Sequence, residues 1–364
     1  MSDFDFLTDR NDLARARWSA APPVGASAHG VTVELERFAL TANNLTYAKL
    51  GDALGYWRYF PAPQGWGRTP VWGVARVVES ETPAVAEGER VFGFFPISTR
   101  CGLTPAPRGA FGFADATDHR AGLPAAYNDY RLIDRDPHFD RDDEDAFLAL
   151  RPLFILGFFL ARWLEEKAYF GAERVIVSSA SSKAASALAH ELGGRVETIG
   201  LTSAHNLAAV ANAGLFDRAV AYAAIADDED LAKRPGVYVD IAGDPALTGH
   251  LRQRMGAGLI RTIAVGTTQV EAANIRLPAD SADEGDSAFF FAPAHIPRLR
   301  ALWGAEALRE RLATSWARYV ARVRQTMTFR VLSGRSAIAN AYDQVARGAA
   351  PADVVAILTA PRLE

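Results

Sequence analysis

The stretch that most constrains this chain runs from Arg174 to Ala185, RVIVSSASSKAA, and continues through Leu188-Ala189-His190-Glu191-Leu192. A short β-branched run meets a loop of small residues, and the loop opens an Ala-rich helix. A dinucleotide fold builds its phosphate site in that order, with backbone N–H groups and a helix N-terminus facing an anion. The glycine spacing G-x-x-G-x-x-G falls here on Ser178, Ser181 and Ala184, so context carries the signal and the fingerprint itself does not. Small residues still permit close approach, and Ser179, Ser181, Ser182 and Lys183 are the residues expected at a pyrophosphate. The alternative is a tight strand-to-helix turn, capped by Ser182, that holds no ligand.

The 364 residues are enough for two domains of about 150 residues each. Hydrophobic residues at 49% and charged residues at 23% are those of an ordinary globular protein. A net charge of −4 lacks the basic footprint of a nucleic-acid binder, so no nucleic-acid partner is expected. The single cysteine, Cys101, excludes an intrachain disulfide and a Cys-rich zinc site. The charged N-terminus has no apolar signal-peptide core. Phe147 to Leu164 is interrupted by Arg151, Pro152 and Arg162 and reads as a buried helix. No membrane partner is expected, and the expected location is cytoplasmic.

The pattern changes along the chain. Alternation over 30–42, and strand-like runs at 71–80, 90–95 and 127–133, predict a β-rich first part, with an aromatic loop from Leu50 to Pro70 and a loop over 100–125. After about residue 140 a helix over 143–169 leads into alternating strands (174–178, 195–201, 218–222, 237–241, 260–265) and helices (182–193, 205–213, 245–256). That alternation predicts βαβ units and a parallel sheet. The polar run 278–286 ends this part. A long helix is expected over 294–326, then strand 328–332, helix 336–347 and strand 353–358.

A β-rich domain, a central nucleotide fold and a returning tail resemble the layout of the medium-chain dehydrogenase/reductase superfamily. The resemblance rests on Val31-Thr32-Val33 through Asn43-Asn44, Pro70 through Val78, the turn Gly88-Glu89-Arg90-Val91-Phe92-Gly93, and Ile338 through Gly348 followed by Val354 to Leu358. The runs Asn43-Asn44-Leu45-Thr46-Tyr47-Ala48, Tyr56-Trp57-Arg58-Tyr59-Phe60-Pro61-Ala62, Pro70-Val71-Trp72-Gly73, Ser178 to Lys183 and Gly200-Leu201-Thr202-Ser203 are similar to a branch of that superfamily carried as a domain of unknown function. The resemblance implies an α/β chain: a GroES-like substrate domain over 1–145 with 290–364, and a Rossmann-type nucleotide domain over 146–289. Superfamily dimers join through the nucleotide sheet, so a homodimer through the strand at 260–265 is an expectation.

The alcohol dehydrogenases of this superfamily carry a Cys zinc ligand and a Gly-His-Glu run. Here Cys101 is isolated and Gly-His-Glu does not occur; His119, near Asp115 and Asp118, is the nearest approach to a cluster. The chain therefore looks like the zinc-free quinone and enoyl reductases, and no metal is expected.

Reduction by a nicotinamide requires that the protein hold the cofactor, orient the acceptor and protonate the developing negative charge. No Asp or Glu stands at the end of the second strand, where an NAD site places one on the ribose hydroxyls. Thr202, Ser203 and Asn206, beside His205 and with Lys183, suit the 2′-phosphate of NADP(H) instead. Ser203 as a helix cap is the alternative, and the two are compatible. Asn44 and Thr46, with Asn43, are expected at the nicotinamide or at buried backbone groups. The similarity to zinc-free enoyl reductases places a proton-donating tyrosine about one loop after the Asn-rich segment; Tyr56 fits first and Tyr47 second. The dense aromatic set Tyr56, Trp57, Tyr59, Phe60, Trp66 and Trp72, with Tyr127, Asn128 and Tyr130, predicts either a small β-domain core or a pocket for a planar, apolar small-molecule acceptor. The expected activity is hydride transfer from NADPH to an activated C=C or C=O; a nucleotide-binding relic without catalysis is the alternative.

Overall fold

The computed structural model describes residues 3–22, 30–265, 287–351 and 353–360. The chain divides into two compact units, Met1–Ala149 with Met327–Glu364, and Leu150–Thr326.

In the first unit, Phe4–Asp9 (β1), Ala16–Ala20 (β2) and Trp66–Gly67 (β4) form a small antiparallel sheet in the order β2-β1-β4. A larger sheet is built from Val31–Leu40 (β3), Pro70–Ser80 (β5), Arg90–Pro96 (β6), Arg100–Leu103 (β7), Pro105–Pro107 (β8), Gly112–Asp115 (β9) and Asp129–Leu132 (β10). The tail adds Thr328–Ser333 and Val354–Thr359 at one edge, the latter antiparallel to β3. The alternating β-branched and aromatic residues of β3, β5 and β6 put Val31, Val33, Phe38, Val71, Val91 and Phe95 into a single core with Ile338 and Tyr342 of the tail helix Arg335–Ala346. In the β5–β6 register Trp72 lies opposite Phe94 and Val74 opposite Phe92, while Gly73 lies opposite Gly93. Gly93 makes room for Tyr130, whose ring lies 2.2 Å from where a Cβ would be. The Tyr130 hydroxyl donates to the Phe94 carbonyl (2.6 Å) and accepts from Arg120 (2.9 Å), which is itself paired with buried Asp115.

The second unit holds Arg174–Val177 (β11), Glu197–Thr202 (β12), Arg218–Ala221 (β13), Gly236–Asp240 (β14), Leu259–Val265 (β15) and Ser287–Phe290 (β16). All pair in parallel, in the order β13-β12-β11-β14-β15-β16. That is the doubly wound order 3-2-1-4-5-6, with the direction of winding reversing at β11. Lys183–Leu192, Leu207–Ala213 and Pro245–Met255 are the helices between strands. A long helix, Glu144–Glu166, precedes them, and its Gly157 allows close helix approach: a Cβ there would lie 2.7 Å from the Leu188 backbone nitrogen. Among the described residues Arg141–Glu166 is the only helix long and apolar enough to cross a membrane, and 78% of its most apolar window is buried inside the protein.

The chain is thus an α/β protein with a Rossmann-type parallel sheet and a β-rich GroES-like unit. Several expectations need correction. The tail does not rejoin the first unit near residue 290 but at 327. Ala292–Trp303 and Ala305–Val323 belong to the second unit, where Tyr319 donates to Ser186 (3.3 Å) and stacks on Phe154 at 27°. The expected continuous helix breaks at Gly304, which takes a left-handed φ of +81°. The strand at 259–265 is not the sheet edge proposed as a dimer interface, since β16 pairs along its outer side. The region 100–125 carries β7, β8 and β9. The polar run 278–286 lies outside the described residues.

Candidate functional sites in the two units

In the first unit the segment after β3 is a helix, Ala42–Lys49. Its Asn44 is buried and accepts from the Thr41 backbone N–H (2.7 Å) and hydroxyl (3.3 Å), while donating to the Pro70 carbonyl (2.9 Å). Its amide therefore closes the helix start and ties it to β5, satisfying backbone groups, one of the two roles expected of it. Thr46 is half-buried on the same helix.

Helical spacing puts Asn43 one turn before Tyr47. The Asn43 amide donates to the Tyr47 hydroxyl oxygen at 2.6 Å, and the Trp72 indole N–H donates to the same oxygen at 3.0 Å. A tyrosine hydroxyl has two acceptor positions and one proton. Both positions are filled here, and among the described residues no acceptor takes the proton. Burial pushes the Tyr47 hydroxyl up to about 12, while the hydrogen bonds from Trp72 and Asn43 pull the other way.

Tyr47 packs on Tyr56 (ring centroids 4.9 Å apart), Phe94 (5.1 Å) and Tyr127 (5.8 Å). The Tyr56 and Tyr127 hydroxyls bond each other at 2.9 Å, and burial raises both well above the ordinary tyrosine value. Asn128 follows on the same turn, and its side-chain oxygen is buried without a hydrogen-bond partner.

Trp57 and Trp66 do not join this cluster. Trp57 is wedged between Gly51 and Gly67, where added Cβ atoms would lie 2.1 and 2.5 Å from its ring. Trp66 belongs to the small sheet, opposite Asp9, with the Arg17 guanidinium 4.1 Å from its ring centroid. Tyr130, also expected to face a pocket, is core. Trp72 and Phe94 are the residues that contact Tyr47.

In the second unit the turn after β11 lies at the reversal point of the sheet. Ser178 is fully buried; its hydroxyl accepts from the Ile241 and Ala242 N–H groups (both 2.9 Å) and donates to Asp240 (3.1 Å). Ser179 adopts the left-handed backbone (φ +50°) that favours glycine, and its N–H donates to the Tyr222 hydroxyl at 2.9 Å. The N–H groups of Ala180 and Ser182 go to Leu201 and Ser179 carbonyls. Ser182 caps the following helix by accepting from Ala185 (3.2 Å), and Ser181 accepts from Asn206 (3.2 Å). Lys183 starts the helix and is half-buried. Thr202 ends β12 in a buried position, and Ser203 follows it half-buried with no cap hydrogen bond from its side chain, so it is not the helix cap considered above. The structure thus brings Ser179, Ser181, Ser182, Thr202, Ser203 and Asn206 to the carboxyl end of the sheet. Gly200 permits the approach of Ala180, whose Cβ lies 2.8 Å from the place of an added one.

The model of the family described as Protein of unknown function (DUF2855) matches residues 38–351. The chain belongs to the DUF2855 family. A comparison with curated proteins gives no match. Among solved structures, this DUF2855 protein is similar to CurA from Vibrio vulnificus in complex with NADPH (TM-score 0.61, 11% identity, 99% of this chain and 100% of that one). It is also similar to a quinone oxidoreductase from Coxiella burnetii (0.56, 12%, 98% and 99%) and to the yhdH oxidoreductase from Salmonella enterica in complex with NADP (0.51, 14%, 99% of each). The fold is that of the medium-chain dehydrogenases/reductases. Among the described residues of the DUF2855 chain no group of three His, Cys, Asp or Glu side chains is placed to share a metal ion; His119 instead bonds the Tyr59 carbonyl (3.2 Å).

Proposed function

We propose that this protein is an NADPH-dependent, zinc-independent reductase acting on an activated C=C or C=O of a small apolar acceptor, with NADPH at the turn between β11 and the helix Lys183–Leu192. The observation that carries this reading is the place of that turn. It lies at the carboxyl end of the parallel sheet where the strand order reverses, which is where doubly wound sheets bind dinucleotides. The residues fit the group. Ser179 supplies the left-handed backbone of a glycine, Ser181 and Ser182 bring hydroxyls to the helix start, and the β12 end offers Thr202 and Ser203 in place of an acid. NADPH supplies a hydride when bound. The solved structures with NADP and NADPH in the same fold support the choice of nucleotide.

The chemistry left to the chain is proton supply, and Tyr47 suits it better than Tyr56. Its hydroxyl proton has no acceptor in the protein, and the two N–H donors on its oxygen would hold the negative charge left after the proton departs. Tyr56 and Tyr127, whose rings pack on Tyr47, share one hydrogen bond, while half-buried Trp72, backed by buried Phe94, supplies an apolar wall suited to a planar acceptor.

A second reading, a nucleotide-fold protein without nucleotide chemistry, is favoured by one observation. The N–H groups of Ser179, Ala180 and Ser182, which a phosphate cradle would direct at its anion, already have protein acceptors. Calorimetric titration with NADPH and NADH separates the two. Micromolar NADPH binding with weaker NADH binding, followed by turnover with conjugated carbonyl compounds, supports the reductase. Absence of heat with both nucleotides overturns it and leaves the turn as structural.

A further inference from the structure

The helix Lys183–Leu192 begins at the proposed nucleotide turn, and a different feature stands at its other end. There the second unit forms a cavity of about 400 Å³ that is broadly open to solvent, within the roughly 300–1,000 Å³ of small-molecule sites. Glu191, on the last turn of that helix, forms part of its wall, so the cavity lies about 14 Å along the helix axis from the Ser182 cap. It is a separate site on the same unit.

Its chemistry is cationic and aromatic. Four guanidiniums line it, those of Arg162, Arg195, Arg311 and Arg318, against the carboxylates of Glu191 and Glu310. The first two are neutralised within the fold. Arg162 pairs with Glu165 (2.9 Å) and Glu191 (3.1 Å), and Arg195 with Glu165. Glu191 also accepts the Ser315 hydroxyl, so its charge is held on the protein side. The other two differ. Arg311 and Arg318 are exposed, stand seven residues apart on one face of Ala305–Val323, and have no carboxylate within ion-pair distance among the described residues. Two rings at right angles also line it, half-buried Trp303 and buried Phe158 (centroids 6.4 Å apart, 82°), the latter beneath the Arg162 guanidinium. The Arg311 guanidinium already lies 4.6 Å from the Trp303 centroid, so this ring face accepts a flat, delocalised group.

We propose that this cavity binds a small organic anion consisting of a carboxylate on an aromatic or conjugated ring. The ring would take the Trp303 face that the Arg311 guanidinium now covers, and the displaced Arg311 would meet the carboxylate together with Arg318, their planar forks matching its two oxygens. A bare phosphate would leave the aromatic walls in water, and a neutral ring would leave both guanidiniums unmatched.

The test uses the whole protein and three probes followed by calorimetry and ligand-observed NMR: 2-naphthoate, its neutral amide, and inorganic phosphate. Naphthoate is expected to bind while the amide and phosphate do not at equal concentration. The double variant Arg311→Ala/Arg318→Ala, which breaks no ion pair of the fold and is expected to unfold at the wild-type temperature, should weaken naphthoate by about tenfold or more. Failure of naphthoate to bind through the millimolar range, equal binding by the folded double variant, or phosphate binding as tight as naphthoate would each overturn the proposal. NADPH titration of the same variant reports on the other end of the helix, so failure of the reductase reading leaves this result unaffected.

Discussion

The Trp72 indole nitrogen lies 3.0 Å from the Tyr47 hydroxyl oxygen, across the step from a strand to the short helix that follows its neighbour in the sheet. With Asn43 on the same oxygen, this makes Tyr47 a hydroxyl whose acceptor positions are full and whose proton has no protein partner. Such a group can give up a proton without reorganising its surroundings, because the donors that would stabilise the phenolate are already in place.

Replacing Trp72 by Phe removes one of those donors and keeps an aromatic wall. One hydrogen bond to a developing charge is worth about 1 kcal/mol or somewhat more, so kcat for NADPH-dependent reduction should fall about threefold to tenfold with KM little changed. Tyr47→Phe should cost more. Steady-state kinetics of both variants check this; equal kcat in Trp72→Phe and wild type would remove Tyr47 from the proton path. The activity should also show no loss from Tyr47 titration across neutral pH, because burial holds that hydroxyl up to about 12.

The parallel sheet was legible because Val175-Ile176-Val177 and its successors are apolar runs between Ala-rich helices, a pattern that only βαβ units satisfy. The helix Ala42–Lys49 was not. Asn43, Asn44 and Thr46 favour turns over helices, and the helix exists because Asn44 closes its start and anchors it to Pro70. Had it been read, the four-residue spacing of Asn43 and Tyr47 would have pointed to their contact. Trp57 and Trp66 were indistinguishable from Trp72 by sequence, since the glycines that wedge Trp57 lie six residues before it and ten after. The sheet's sixth strand, Ser287–Phe290, is four residues long and gives no alternation to read.

Tyr222 holds the Ser179 N–H, a donor that a bound pyrophosphate would otherwise engage. Tyr222→Phe frees that N–H while keeping the ring. If NADPH occupies this turn, removing a competing acceptor worth about 1 kcal/mol should tighten it up to about fivefold. Calorimetric Kd values for the two proteins decide it, and an unchanged Kd would place the phosphates away from Ser179.

Asn44→Ala should act on stability and not on the nucleotide. It leaves the buried Pro70 carbonyl and the half-buried Thr41 N–H without their partner, a loss of about 2 kcal/mol. Urea unfolding should show a lower midpoint with an unchanged slope, and the NADPH Kd should stay at the wild-type value. A weaker Kd at unchanged stability would return Asn44 to the cofactor site.

His190 gives the protein a pH dependence whose sign can be worked out. Its ring packs 5.3 Å from Tyr319, and burial, then the charges of Arg322 and Arg318, push it down to about 4 against a backbone hydrogen bond at Ser315. The unfolded chain takes up this proton near the ordinary value of about 6.5. The folded chain takes it up only near 4. Between those values the unfolded state binds more protons, so this contribution is complete above about pH 6.5 and is lost as pH falls toward 4. Neighbouring Glu191 works in the opposite direction, since burial raises its carboxyl, but it is present in both proteins of the comparison. His190→Gln cannot take up the proton. The wild type should therefore lose more thermal stability than the variant between pH 7 and pH 5, measured as the change in Tm of each. Equal losses would mean that His190 meets solvent freely.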